Sequence, residues 1–294
     1  MSRYIDILNR GREILKFCEI EDFDTDAWLL FEYVFEMNRT SYFLHQLDEN
    51  HNISLENKYI ELIKARCSRL PLQHITGHQE FMGFDFFVNE NTLIPRQDTE
   101  ILAEKALEYI RKYMDLKTAN SDNTDVSIMD MCTGTGCIGI AIAKLLPNIR
   151  VTGADVSDKA LEVAEKNRKN LSADNISFVK SDIFDNIDSN IKYDFIISNP
   201  PYIKTGDIKN LMEEVRLHEP FIALDGSEDG LYFYRKITGE AGKRLKEGGY
   251  LMYETGCDQA QEVSSIMKYA GFCNIKVFKD LAGLDRVVTG RLHH

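Results

Sequence analysis

Asn199-Pro200-Pro201-Tyr202 is the stretch whose residue types most narrowly limit the chemistry it can perform. It follows YDFIIS, which reads as a buried strand, so it falls at the carboxyl edge of a sheet, where open α/β sheets bind their ligands. Two consecutive prolines fix φ and remove two N–H donors, leaving a rigid turn that presents carbonyl oxygens. The Asn199 side-chain oxygen and the Pro200 carbonyl can then accept both hydrogens of a planar NH2 group, while Tyr202 stacks on its flat face. A nitrogen of that kind has its lone pair delocalised into a carbonyl or a ring. Fixing both N–H bonds aims what remains of the lone pair at an electrophile, and positioning of this sort supplies much of the rate of an in-line displacement. No strong base is needed, because the nitrogen becomes acidic once it carries positive charge. The competing reading is a plain Pro-Pro turn.

A second motif could hold the electrophile. The strand SIMDM runs into Cys132-Thr133-Gly134-Thr135-Gly136-Cys137-Ile138-Gly139, so Gly134, Gly136 and Gly139 satisfy GxGxxG, and Asp155 follows at the end of the next strand. The glycines let the backbone turn tightly beside a ligand, and the acid can accept both hydroxyls of a ribose. That pattern fits NAD and S-adenosylmethionine (SAM) equally well, and a simple strand–helix turn is the alternative. Asp130 favours SAM: a carboxylate at the strand's end meets an ammonium well but repels a pyrophosphate. Ser181-Asp182, after the third strand, would stand near an adenine unless it is only a solvated helix cap.

These motifs need a framework, and the chain supplies two kinds. Residues 1–77 carry apolar positions at helical spacing, such as Ile5, Leu8, Ile14 and Leu15, then Trp28, Phe31, Val34 and Phe35. Asp24 with Thr25 and Ser54 with Asn57 are candidate caps. Residues 78–95 change to aromatic and β-branched runs around Asn89-Glu90-Asn91, which predicts a β-hairpin linker. From 96 to 292 strands alternate with helices: strands at 127–131, 151–155, 176–181, 193–198, 250–254, 275–278 and 285–289, and helices at 137–147, 158–170, 206–217, 230–246 and 259–270. Alternation implies a parallel sheet covered on both faces. Only about six residues join the last two strands, too few for a crossover helix, so the seventh must run antiparallel to the sixth. Seven strands with a reversed last hairpin form the Rossmann-like α/β topology of class I methyltransferases.

Composition narrows the partners. With 44% hydrophobic and 28% charged residues the chain has the content of a folded globular protein. Its 35 basic against 47 acidic residues, a net charge of -12, oppose a phosphate backbone. No apolar stretch approaches a membrane span or a signal-peptide core, so a cytoplasmic location is expected. The six cysteines form no CxxC pair and no zinc spacing, and read as buried thiols in a reducing compartment. His74, His78 and His218 lack ligand companions, so no metal site is expected. Phe81, Phe84, Phe86 and Phe87 read as hairpin core, the alternative being that Phe81 covers an adenine. Arg96 reads either as a contact to a protein partner or as a salt bridge to Asp98 or Glu100.

Taken together, the motifs resemble those of the SAM-dependent methyltransferases that modify the glutamine of the GGQ motif in class I peptide chain release factors, the PrmC/HemK family. PLQHITGHQEFMGFDFFVNENTLIPRQDTE looks like that family's linker, Asn199 to Tyr202 is similar to its NPPY, and EPFIALDGSEDGLYFYRKI resembles its segment before the fifth strand. The resemblance implies that Cys132 to Gly136, Asp155, Asp182 and Ile183 bind SAM, that Asn199, Pro200, Pro201 and Tyr202 hold the glutamine amide, and that residues 1–77 dock the release factor. Asn199 also borders the SAM side, and Asp130 joins the SAM set. A monomer that binds no nucleic acid directly is expected. Two positions depart from the family pattern: Cys132 stands where glycine is usual and Gln97 where proline is usual. Two other functions share these motifs in part. An adenine-N6 methyltransferase on DNA or RNA uses the same NPPY chemistry on a flipped base but needs a basic track. A dinucleotide-binding module would use Gly134 to Gly139 without catalysis.

Overall fold

A computed structural model describes residues 2–119 and 125–293, which fall into two compact units. One comprises residues 1–78 with 212–218, the other 79–211 with 219–294. This division differs in two places from boundaries at 77 and 95. The hairpin beyond His78 belongs to the second unit, and 212–218, which overlaps the expected helix at 206–217, belongs to the first.

The first unit is helical: α1 (Tyr4–Phe17), α2 (Phe23–Phe35), α3 (Arg39–His45), α4 (Ile53–Cys67) and α5 (Leu72–Thr76). Leu8, Leu15, Leu30, Phe31, Tyr59 and Ile63 are buried among α1, α2 and α4, each side chain contributing roughly 1.5–3 kcal/mol by leaving water. The helix starts are set by Asn38 and Asn52, whose side chains accept from the amides of Ser41 and Leu55. Asp24, Thr25, Ser54 and Asn57 therefore lie inside helices, not at their caps. The cysteine reading also needs correction. Cys18 and Cys67 are joined in a disulfide across the adjoining ends of α1 and α4, and Cys257 is exposed. A separation of 49 residues hid that pairing, because only the packing of α1 on α4 makes the two ends neighbours.

One buried ion pair organises this unit. Arg66 Nε donates to Asp26 Oδ2 at 2.7 Å, and Arg66 Nη1 donates to Glu214 Oε1 at 3.1 Å. Glu214 lies in the short helix Glu213–His218, which follows a separate 3-10 turn, Thr205–Asn210. The expected helix 206–217 is thus broken at Leu211, whose extended backbone lets Glu213 and Glu214 meet Arg69 and Arg66. Burial holds the Asp26 carboxyl above its ordinary pKa despite Arg66. Arg66→Ala leaves that carboxylate buried without its partner, and a loss of about 3–5 kcal/mol in urea unfolding is expected, followed through the fluorescence of Trp28, the single tryptophan.

The second unit opens with the hairpin β1 (His78–Phe81) and β2 (Phe84–Phe87), followed by α6 (Gln97–Ala119). Then come β3 (Val126–Met131), α7 (Cys137–Leu145), β4 (Ile149–Asp155), α8 (Asp158–Asn170), β5 (Ile176–Lys180) and β6 (Tyr193–Ser198). Beyond the two short helices α9 (Glu213–His218) and α10 (Phe221–Leu224) follow α11 (Tyr232–Arg244), β7 (Leu245–Glu254), α12 (Ala260–Tyr269), β8 (Phe272–Lys279) and β9 (Asp285–Leu292). The sheet order is β5-β4-β3-β6-β7-β9-β8, parallel up to β7, with β9 antiparallel between β7 and β8. The predicted reversal of the last strand is present.

Two apolar layers cover the sheet, one built with α6 and α7 and the other with α11 and α12. β6 is buried at every position, which is why YDFIIS reads as a near-continuous apolar run. Helix α6, absent from the helices expected above, buries Thr99, Leu102, Ala103, Ala106, Leu107 and Ile110 on one face. The hairpin is held to α8 by Asn167, which accepts from the Phe87 amide at 2.8 Å and donates to the Phe87 carbonyl at 3.0 Å. Phe81 and Phe86 sit edge to face in the core, 1% and 0% exposed, as the hairpin-core reading has it. No helix among the described residues is long and apolar enough to cross a membrane, and none of their His, Cys, Asp and Glu groups could hold a metal ion.

Candidate active site

β3 is hydrogen-bonded in parallel to β4 and to β6, so the turns after all three emerge along one edge. After β3 the chain passes through Cys132 and Gly134, both left-handed, to Gly136, whose φ of 79° caps α7. Cys132 adopts φ 61°, a conformation that costs a residue with a Cβ about 1–2 kcal/mol. The turn is tied from two sides. The Thr133 hydroxyl donates to Asp130 Oδ2 at 2.5 Å and the Gly139 amide donates to the same oxygen at 3.0 Å. A Cβ at Gly139 would stand 2.8 Å from that oxygen, which is why the third glycine is required. On the other side the Gly134 amide donates to Asp155 Oδ2 at 2.9 Å and the Ser157 amide to Oδ1 at 3.0 Å.

These turns enclose a cavity of about 270 Å³. Its wall contains Cys132, Thr133, Gly134, Thr135, Asp155, Asp182, Ile183, Asn199 and Pro201. Asp130, Gly136, Pro200 and Tyr202 are not in it. Asp130 is 1% exposed and acts on the turn from behind; its Oδ1 is buried without a hydrogen-bond partner. Asp182 receives Lys236 Nζ at 3.2 Å on both oxygens. Pro200 is buried, and the Tyr202 hydroxyl points away toward Glu254 Oε1 at 3.5 Å.

The Asn-Pro-Pro-Tyr turn is braced by parts of the chain far from it in sequence. Ser198 Oγ donates to the Met131 carbonyl at 2.7 Å, and Gln259 Nε2 donates to the Tyr202 carbonyl at 2.9 Å. The Gly226 amide donates to the Ile203 carbonyl at 2.8 Å, and a Cβ at Gly226 would stand 2.7 Å from Tyr202 Cα. The segment DGSEDG can therefore lie against the turn only with glycine there. Asn199 Nδ2 donates to Thr99 Oγ1 at 3.3 Å.

Several wall residues were not singled out from sequence, among them Thr92, Thr99, Ile222, Tyr232 and Phe233. Glu254, behind the wall, was missed too, although it ends β7 at the same edge where Asp155 ends β4. Arg96 pairs with neither Asp98 nor Glu100. Its Nη2 donates to Glu219 at 2.6 and 2.7 Å, whereas Asp98 pairs with Arg286 and Glu100 accepts from the Met82 amide.

The wall suits SAM by its chemistry. Asp155 keeps lone pairs free on both oxygens, Gly134 faces open space where a Cβ would point, and the remaining surface is mostly apolar. The sheet order and the glycine-rich turn define a class I SAM-dependent methyltransferase. Residues 122–283 match the methyltransferase domain family and residues 6–77 the PrmC N-terminal domain family. The release factor glutamine methyltransferase of Clostridium acetobutylicum is 40% identical over 96% of this chain and 96% of its own length. That of Fusobacterium nucleatum is 36% identical over 98% of this chain and 78% of its own. Among solved structures, the hMettl16 catalytic domain in complex with an RNA hairpin superposes with a TM-score of 0.54 at 18% identity, covering 80% of this chain and 83% of that one, a likeness of fold alone. This chain belongs to the release factor glutamine methyltransferase family, PrmC/HemK.

Burial raises the Asp130 pKa to about 7 against the pull of Thr133 and Gly139. In the unfolded chain the group ionises near 3.8, so the folded state holds a proton the unfolded one has lost. Stability is complete below that value and falls as pH rises through about 7, by up to about 1.4 kcal/mol per pH unit. Asp130→Asn keeps the acceptor and removes the titration. Its unfolding free energy should show a shallower pH dependence than the wild type between pH 4 and 7 in urea titrations, and equal slopes would refute the assignment.

Proposed function

We propose that this enzyme transfers the methyl group of SAM to the side-chain amide nitrogen of the glutamine in the GGQ motif of class I peptide chain release factors. The observation that carries the reading is the Asn-Pro-Pro-Tyr turn at the end of β6, with Asn199 and Pro201 in the wall shared by Asp155 and the Gly134 turn. The names of the relatives point to the same substrate class.

Bound in this cavity, SAM supplies an electrophilic methyl group on a sulfonium sulfur. Asp155 would accept from the ribose hydroxyls with the lone pairs that Gly134 and Ser157 leave unused. Asp182 and Ile183 would hold the adenine. Residues Cys132 to Gly136, held in shape by Asp130, would hold the methionine part. Asn199 Oδ1 and the Pro200 carbonyl accept the two amide hydrogens of the glutamine, with Pro201 and Tyr202 keeping the turn rigid. Held this way, the nitrogen attacks in line and the surplus proton leaves to water, so no base beside it is required. The helical unit docks the release factor, and the enzyme works in the cytoplasm as a monomer. An adenine-N6 activity on nucleic acid would use the same turn, but the charge of -12 disfavours a phosphate track.

Incubation with tritiated SAM and, side by side, a purified release factor, DNA and ribosomal RNA separates these substrates. Label is expected in the release factor alone, and label in nucleic acid instead would overturn the reading. Asn199→Ala should lower kcat by about a hundredfold or more, since misplacing the nucleophile forfeits the benefit of positioning. Asp155→Ala should weaken SAM binding by roughly 10–100-fold in calorimetry, the worth of hydrogen bonds to a charged acceptor.

A further inference from the structure

Among the described residues of the cavity wall, Arg96 is the one Lys or Arg, beside the acids Asp155 and Asp182 and a mostly apolar remainder. Its guanidinium is fixed from one side. Nη2 donates to both oxygens of Glu219, at 2.6 and 2.7 Å, and Glu219 also accepts from the Ile94 amide at 3.4 Å. The Glu219 side chain is 1% exposed, whereas that of Arg96 is 40% exposed. Glu219 therefore engages a single nitrogen, and the N–H groups of Nε and Nη1 bond to none of the described residues.

The cofactor of this cavity brings a group that needs such donors. SAM carries a sulfonium, an ammonium and, at the end of its methionine part, a carboxylate. A carboxylate that leaves water for a mostly apolar wall must be paired or hydrogen-bonded. The glycine turn has little left to offer it. The amides of Thr133, Gly134, Gly136 and Gly139 donate to the Ala154 carbonyl, Asp155, the Thr133 carbonyl and Asp130. The Thr133 hydroxyl is spent on Asp130 as well, and the charges of Asp155 and Asp182 oppose a third anion. Arg96 remains, a permanent cation with unused donors, and its hydrogen bonds to a carboxylate are about twice as strong as those between neutral groups.

We propose that Arg96, held at the wall by Glu219, is a cofactor-binding residue that pairs with the carboxylate of SAM through the N–H groups Glu219 leaves free. Glu219 is the positioning residue of the pair, since the bond it accepts from the Ile94 amide ties it to the strand of chain that carries Arg96. The inference concerns the cofactor alone, so it does not depend on which nitrogen receives the methyl group.

Calorimetry on the full-length enzyme tests it with two ligands, SAM and decarboxylated SAM, which keeps the sulfonium, the amine and the nucleoside. Arg96→Met is expected to weaken SAM binding by about 10–100-fold, as the loss of hydrogen bonds to a charged group does, and to leave the affinity for decarboxylated SAM within about twofold of the wild type. Arg96→Gln still offers Glu219 an N–H donor but carries no charge. It should show the same selective loss, which keeps the test available if Arg96→Met does not fold. An equal loss for both ligands would make Arg96 a structural partner of Glu219 and overturn the pairing. Unchanged SAM affinity in both variants would overturn it too, and a raised KM for the release factor in that case would give Arg96 to the protein substrate.

Discussion

The parallel pairing of β3 with β4 on one side and β6 on the other is the constraint on which the site depends. In a parallel sheet neighbouring strands end on the same edge, and the connections beyond those ends diverge to opposite faces, leaving a crevice. Three turns without sequence similarity are thereby brought together: the glycine turn after Met131, the Asp155 turn and the Asn-Pro-Pro-Tyr turn. Met131 pairs with Ala154 in β4 and with Ser198 in β6, so the register aligns the last residues of all three strands to within a residue. A slip of one position in either pairing would carry Asp155 or Asn199 out of the cavity wall.

Buried carboxyls show how the same sheet serves different ends. Asp194, near the start of β6, is fully buried, and burial alone would raise its pKa. Lys246, the Ser127 amide, Tyr113 and Lys117 all reach it, and the balance falls below the ordinary value. It is a paired charge that joins α6, β3 and β7. Asp130 and Glu254 have fewer donors, each leaves one oxygen without a partner, and both titrate near neutrality. The donor count separates the paired structural acid from the two that lie behind the cavity wall. Asp130 is bonded to the glycine turn and Glu254 to the Tyr202 hydroxyl.

The legible part of the site was the part written in contiguous residues. GxGxxG, Asp155 nineteen residues after Gly136 and the Asn-Pro-Pro-Tyr run are local patterns, and their places in the fold follow from strand–helix alternation. Elements with strong periodicity were legible as well, and β6 runs from Tyr193 to Ser198 as expected. Helix α6 carried a readable signal, with Thr99, Leu102, Ala103, Ala106, Leu107 and Ile110 at helical spacing and two acids in its first turn. The 206–217 segment was not readable in this way. Its helical pattern is real, but ion pairs to Arg66 and Arg69 fix its second half, and nothing local announces partners about 145 residues away.

The sequence alone determined the fold class and the cofactor chemistry, because those depend on local backbone geometry and on the order of elements along the chain. Only the tertiary structure decided which groups stand behind those motifs. It moved Asp130 out of the wall and behind the glycine turn, paired Cys18 with Cys67, gave Arg96 to Glu219, and set Thr99 beside Asn199 and Glu254 beside the Tyr202 hydroxyl. Each of these is a contact between residues from different elements, and its partner is chosen by packing and by the scarcity of hydrogen-bond donors in a buried interior. That choice is made only when the layers close.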